Sequence, residues 1–247
     1  MTYERFAYVY DELMKDAPYE KWLMILTAKL EQYGIDGRKV LDLACGTGEM
    51  TVELAQHGFE VTGVDLSDEM LLVANEKAVK LGLSIPLFQQ NMAELEGLGQ
   101  FDCVTIFCDS LNYLRDEADI VKTFNRVHEH LKDEGLFLFD VHSIYKMEEV
   151  FRDHTFAVSD EDVSYIWDCF SGEEAYSVEH ELSFFVKDEQ TGLYDRFDEL
   201  HYQRTYPVAQ YKKWLQQAGF TVTELMADLE EALPVTETER ILFVARK

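Results

Sequence analysis

Apolar residues recur along this chain in two rhythms, and the change from one to the other near residue 150 divides it. Between residues 3 and 33 the spacing of Trp22, Ile25, Leu26 and Leu30 is that of one helix face. Gly34 and Gly37 end that helix ahead of a first apolar strand at 39–44. Short apolar runs then alternate with helix-length segments. They predict a helix over 48–57, a strand over 59–65, a helix over 67–81, strands over 84–88 and 101–107, a helix over 117–131 and a strand over 135–141. Ser67, followed by Asp68 and Glu69, reads as an N-cap with acidic first-turn residues. Strands apolar throughout and separated by helices predict an α/β fold with a doubly wound, mostly parallel sheet.

Past residue 150 the period shortens to two. The runs Ser164–Phe170, Tyr176–Val186 and Tyr194–Arg204 alternate polar with aromatic or aliphatic positions, and Ser171-Gly172 and Gln190-Thr191-Gly192 split them. Such a pattern over 155–206 predicts an antiparallel meander. Helical spacing returns at 208–218 and stops at Gly219, and two last strands are expected near 221–227 and 239–246.

The densest chemistry lies where the first two strands end. Val40-Leu41-Asp42-Leu43-Ala44-Cys45-Gly46-Thr47-Gly48-Glu49-Met50-Thr51 is a strand, a Gly-x-Gly turn and a helix start. Val61-Thr62-Gly63-Val64-Asp65-Leu66-Ser67 is the next strand, ending in an acid 19 positions after Gly46. Glycines let a ligand approach bare backbone, and a carboxylate at the second strand end suits ribose hydroxyls. A dinucleotide site carries a third Gly beneath the pyrophosphate. Here Thr51 stands in that place, Glu49 sits at the helix start, and Asp42 adds negative charge. That set disfavours a nicotinamide oxidoreductase, the main alternative, and favours an adenosine cofactor that has no phosphate and carries positive charge.

The block Val-Leu-Asp-Leu-Ala-Cys-Gly-Thr-Gly resembles motif I of class I S-adenosylmethionine-dependent methyltransferases, and Asp65 matches their acidic ribose-binding residue. The resemblance implies a seven-stranded Rossmann-like sheet with an antiparallel terminal strand, formed by residues 1–150 and 207–247. Residues 151–206 would be an inserted β-rich lid. It also implies S-adenosylmethionine as cofactor, with Asp42, Ala44, Gly46, Gly48, Asp65 and Leu66 around it. Tyr3–Asp11 resembles the Phe-Ala-x-x-Tyr-Asp segment that folds over the cofactor, which brings Tyr10 near the sulfonium; Phe6 and Tyr10 also read as one apolar helix face. Asn91 stands where the family has an acid on the adenine amine, and its side-chain carbonyl accepts the same bond. Met92 would cover the ring. Phe101–Leu114 resembles motif IV, which brings the backbone of Cys108 toward the cofactor's amino group and places Tyr113 by the substrate as a candidate catalytic residue, though Tyr113 also reads as packing. The Asn/Asp-Pro-Pro-Tyr/Phe signature of DNA-modifying relatives is absent.

His142 follows the apolar run Leu136–Val141 and reaches the cleft as a candidate general base, though a lone His also reads as structural. Trp167 and Arg204 are candidate substrate contacts; Arg204 could equally pair with one of the many local acids. The chain of 247 residues carries 22 basic against 48 acidic side chains, a formal charge of −26. That balance opposes polyanions, whose binding rests on Lys and Arg, and leaves a small-molecule methyl acceptor as the expectation. A protein or RNA acceptor and a non-catalytic cofactor-binding protein remain as alternatives. The four cysteines have no CxxC spacing, so neither a disulfide framework nor a metal site is expected. No apolar run approaches ~18 residues and the first residues lack a signal-peptide layout, so a reduced cytoplasmic setting is the expectation, with oligomeric state open.

Overall fold

The structure, a computed structural model, describes residues 7, 9–11, 13–188 and 190–247. Tyr3 and Phe6, part of the segment read as folding over the cofactor, lie outside the described residues. Of the expected helix over 3–33, the described residues at 7–13 are helical, turns follow, and α1 begins again at Tyr19 (Tyr19–Gln32). The break falls at Pro18, which has no N–H to continue a helix and stands at the N-cap position of α1.

The alternating section forms β1 (Lys39–Leu43), α2 (Glu49–Gln56), β2 (Glu60–Asp65), α3 (Asp68–Lys80), β3 (Leu87–Gln89), β4 (Phe101–Ile106), α4 (Glu117–His130) and β5 (Leu131–His142). The third strand is shorter and later than the apolar pattern at 84–88 suggests, because Pro86 cannot donate to a ladder and pairing begins only at Leu87. β5 is correspondingly longer than expected. The helix-start reading at Ser67 holds: its Oγ accepts from the Met70 N–H. A π-helical turn (Lys146–Phe151) leads into β6 (Thr155–Val158), β7 (Val163–Ser171), β8 (Ser177–Lys187) and β9 (Tyr194–Arg204). Finally α5 (Val208–Gln217), β10 (Thr221–Ala227) and β11 (Arg240–Arg246) complete the chain.

The first sheet has seven strands in the order β10-β11-β5-β4-β1-β2-β3, and the second has four in the order β6-β7-β8-β9. Within the first, β1–β5 pair in parallel, and β11 runs antiparallel to both β5 and β10. The order reverses between β1 and β4. Crevices open at the carboxyl ends of strands at such a point, and ligands bind there. The second sheet is antiparallel throughout, as its two-residue period requires.

One core layer lies between the sheet and α4 and α5, where Phe139 is fully buried and stacks on Phe137 at 4.8 Å and Phe243 at 4.7 Å. The other lies under α1 and α2 around Trp22, Leu26 and Leu54. At Gly48, φ is +77° and a Cβ would stand 2.8 Å from that of Ala74, so this Gly sets the approach of α2 to α3. The Phe139 stack makes a direct test of the larger layer. Phe139→Ala is expected to lower the unfolding free energy by about 3–5 kcal/mol, read from the shift of the denaturant midpoint; a loss below about 1 kcal/mol would place the core elsewhere.

Candidate active site

Two cavities open at the carboxyl ends of the strands, and they meet. The smaller, about 330 Å³, is lined by Ala44, Gly46, Asp65, Leu66, Asn91 and Met92, with Met70 and Tyr10 among its further walls. The larger, about 470 Å³, lies beneath the inner face of the second sheet and contains Cys108, Asp109, His142, Trp167, His180 and Arg240 in its walls. Tyr10, Ser110, Tyr113 and His201 line both. A T-shaped contact of 5.9 Å between Tyr113 and His201 spans the junction from the first sheet's loop to the second sheet.

The smaller cavity is shaped by backbone strain at the strand ends. Ala44 holds φ +55°, and Gly46 φ +54°. Among the described residues a Cβ on Gly46 would have only Tyr10 Cε1 near it, at 4.0 Å, so this turn presents bare backbone to the cavity. Asp65 secures the turn from the neighbouring strand. One oxygen accepts from the Gly46 N–H at 2.7 Å and the other from the Ser67 N–H at 2.9 Å. Each oxygen keeps a lone pair for a hydroxyl donor. Burial raises the Asp65 pKa against these bonds. Among the described residues neither Lys nor Arg lines this cavity, which suits an uncharged adenosine end and not a pyrophosphate. Asn91 Oδ1 accepts from the Ala93 N–H at 2.9 Å, so it orders the short turn at Met92–Glu94 as well as bordering the cavity.

Four residues expected at the site lie elsewhere than on the cavity assigned to them. Asp42 lies beneath the turn, not on the cavity: it is buried and accepts from Thr51 Oγ1 at 2.6 Å and Thr105 Oγ1 at 3.0 Å, and burial, opposed by these bonds, pushes its pKa up to about 6. Gly48 packs α2 on α3 and does not border the cavity. Cys108 borders the larger cavity rather than the smaller. Arg204 reaches neither: Nη1 is 3.5 Å from Glu174, Nε donates to the Ala175 carbonyl, and the guanidinium stacks over Tyr206. The argument from Glu49 also weakens, because Lys77 Nζ donates to that carboxylate at 2.6 Å. Trp167, His142 and Tyr113 do face the larger cavity.

The larger cavity holds an ionic network that spacing along the chain did not suggest. Arg240, the first residue of β11, donates to Asp140 on β5 and, through Nη2 at 2.8 Å, to Asp109 in the loop after β4. Asp109 Oδ2 lies 3.1 Å from His142 Nε2 and also accepts from Gln203 Nε2 at 2.8 Å. Burial opposes ionisation of Asp109, but His142 and Arg240 outweigh it and hold the carboxyl well below the usual range. Burial lowers the His142 pKa, and Asp109 only partly restores it. At neutral pH the His142 ring is therefore uncharged, with its proton on Nε2 facing Asp109. Its Nδ1 is then a bare lone pair, buried and without a hydrogen-bond partner. Asn112, fully buried, holds this arrangement in place: its Oδ1 accepts from the His142 N–H and its Nδ2 donates to the Arg204 carbonyl at the end of β9. One signal for Arg240 was available, since Asp140 interrupts the run Leu136–Val141 and a buried carboxylate needs a cation.

Comparison with known proteins agrees with this geometry. A family model described as a methyltransferase domain matches residues 40–135, the section that carries both Asp65 and the β4 loop. A putative methyltransferase of Geobacillus sp. (strain WCH70) is 55% identical over 100% of both chains. The putative methyltransferase YqeM of Bacillus subtilis (strain 168) is 50% identical over 100% of this chain and 98% of its own. Among solved structures, an S-adenosylmethionine-dependent methyltransferase from Clostridium acetobutylicum ATCC 824 superposes with a TM-score of 0.90 at 34% identity, over 100% of this chain and 99% of that one. CalS10, an amino pentose methyltransferase from Micromonospora echinaspora, shares the fold with a TM-score of 0.76 at 19% identity, over 97% and 95% of the two chains. The cavity at the switch point of the sheet, the Asp65 clasp on a bare Gly turn and, above all, relatives matched end to end place this chain in the S-adenosylmethionine-dependent methyltransferase family.

Proposed function

We propose that the enzyme methylates a heteroatom of a small molecule held in the larger cavity, with His142 as the general base. The observation that carries this reading is the buried, unpartnered Nδ1 of His142, on a ring whose other nitrogen is held by Asp109. A cavity of about 470 Å³ is of the size that small ligands fill, and Trp167, Phe156 and Tyr165 give it aromatic walls. The formal charge of −26 works against a polyanionic acceptor. The same fold serves an amino pentose in CalS10. Among the described residues no helix is long and apolar enough to cross a membrane.

S-adenosylmethionine, when bound, supplies a methyl group already activated by its sulfonium. What remains for the protein is to bind, align and exclude water. Asp65 and the Gly46 backbone would hold the ribose and the amino-acid end, while Asn91 and Met92 would border the adenine. Tyr10 and Tyr113, lining both cavities, would flank the point where the methyl crosses, and an aromatic face there favours a cation. His142 Nδ1 would accept the proton that the acceptor loses. Asp109 fixes the tautomer that leaves Nδ1 bare and stabilises the imidazolium once formed, and Arg240 holds Asp109 ionised. The second sheet covers the larger cavity and keeps water from the nucleophile.

The cofactor half is tested at Asp65. Asp65→Ala is expected to weaken S-adenosylhomocysteine at least tenfold by isothermal titration, about 1.4 kcal/mol. Unchanged affinity in a folded variant would remove Asp65 from the ribose. The chemical half is tested at His142. His142→Gln should cut kcat by about 10²–10⁴ while cofactor affinity changes less than about threefold. Labelled methyl from the cofactor should enter the low-mass fraction of a cell extract; label found only in protein or RNA would contradict the small-molecule reading. Because burial lowers the His142 pKa, kcat/KM should rise with pH through an inflection below the ordinary histidine value of about 6.5 and level off by neutrality. An inflection above about 7 would mean that His142 is not the base.

A further inference from the structure

The larger cavity contains a second unpartnered imidazole nitrogen, of opposite hydrogen-bonding sense to the first. His180 lies on the inner face of β8, is 3% exposed and forms part of the cavity wall. Its Nδ1 receives the indole N–H of Trp167 at 3.0 Å and lies 3.3 Å from Cys169 Sγ. An indole nitrogen only donates, so Nδ1 must be the bare nitrogen and the proton of the neutral ring must sit on Nε2. Burial, with His142 nearby, pushes the His180 pKa down to about 4, so the ring is neutral in the working range. Nε2 makes no hydrogen bond with the protein. The Gln203 side chain lies beside the ring and raises its pKa as a hydrogen-bond acceptor, but no bond of full hydrogen-bond geometry forms at Nε2, and the Gln203 amide nitrogen is committed to Asp109.

The position of this N–H matters. His180 pairs across the strands with His201, which lines the junction of the two cavities, so it sits one strand away from that junction. It also shares Phe151 with His142: the two rings stand edge-on to that phenyl at 5.1 and 5.2 Å. The wall of the cavity thus contains an unpartnered acceptor, His142 Nδ1, and an unpartnered donor, His180 Nε2–H. Each is desolvated, and leaving a buried polar group unpaired is costly. We propose that His180 is a specificity-determining residue that donates to a second heteroatom of the methyl acceptor, which is therefore a difunctional molecule such as an amino alcohol or diol, with the nucleophile on His142 and a neighbouring oxygen on His180. This inference rests on the small-molecule reading of the same cavity. It explains why Trp167 is built into the roof: the indole packs against the cavity and, through its N–H, sets the tautomer of His180.

Matched fragments test it without turnover. The protein saturated with S-adenosylhomocysteine is titrated with trans-2-aminocyclohexanol, cyclohexylamine and cyclohexanol, and binding is followed by NMR, including the Trp167 indole resonance. The difunctional fragment should bind at least tenfold more tightly than either monofunctional one, and His180→Phe should reduce that advantage to threefold or less while the affinity for S-adenosylhomocysteine stays as in the parent. Equal affinity for all three fragments at this cavity, or a full advantage retained in a folded His180→Phe protein, would overturn the inference and leave the small-molecule reading standing. Failure of every fragment to perturb Trp167 would overturn both. Should His180→Phe not fold, nitrogen-15 shifts of the imidazoles in the parent protein decide: protonation of His180 at Nε2 is expected, and protonation at Nδ1 would contradict the donor assignment.

Discussion

The guanidinium of Arg240 is the cation on which the carboxyl end of the sheet depends. It enters from the last strand, directly opposite His142 in the antiparallel pairing of β11 with β5. From there it reaches Asp140 on β5, Asp109 in the loop after β4 and the face of Trp22 on α1. Asp140 is fully buried, and that burial raises its pKa against the opposing pull of Arg240. Removing one partner from such a network leaves an uncompensated buried charge, at about 3–5 kcal/mol. Hydrophobic residues of similar volume could have closed this end of the sheet at less cost. What they would not provide is an ionised Asp109 held against an imidazole.

The ionic clasp and the Asn112 bridge divide the work of the site. Arg240 fixes the charge of Asp109, and Asp109 fixes the tautomer of His142. Asn112 fixes the height of His142 by bonding its backbone, and ties the same loop to the end of β9. Thr205 adds a further tie, donating to the His142 carbonyl. The second sheet is therefore anchored to the loop that carries the reactive groups, and its inner face is presented to the cavity in fixed register. The smaller cavity is built differently, from backbone strain at Ala44 and Gly46 clasped by one carboxylate, with no Lys or Arg among the described residues that line it. Two cavities of contrasting chemistry meet at Tyr10, Ser110, Tyr113 and His201.

The two halves were unequally legible in the sequence. The smaller cavity is local: a strand, a turn and the next strand end, so the meeting of Gly46 and Asp65 on one cavity follows from type and spacing. Membership of the methyltransferase family removes the nicotinamide alternative on the same grounds. The position of Asp42 was not legible, because its partners Thr51 and Thr105 come from a helix and from the neighbouring strand β4, and only pairing of β1 with β4 shows that the carboxylate points beneath the turn. The acceptor half is non-local. Asp109, Asp140, His142 and Arg240 come from three strand ends, and His180 and His201 face inward only because of the register of β8 and β9. A histidine on an alternating strand carries no mark of which face it will occupy. Arg204 shows the converse: a basic residue at the right strand end, turned outward to Glu174 and Tyr206.

The central claim is that Asp109 and His142 act as one unit, and a double-mutant cycle tests it directly. Asp109→Asn, His142→Gln and the double variant are each confirmed folded by circular dichroism and shown to bind S-adenosylhomocysteine, and kcat is measured for all three. If the carboxylate acts through the imidazole, each single change should remove most of the rate and the double variant should be slower than the slower single by less than about threefold. Losses that multiply across the cycle would mean that the two residues contribute independently, and the Asp109–His142 unit would be wrong.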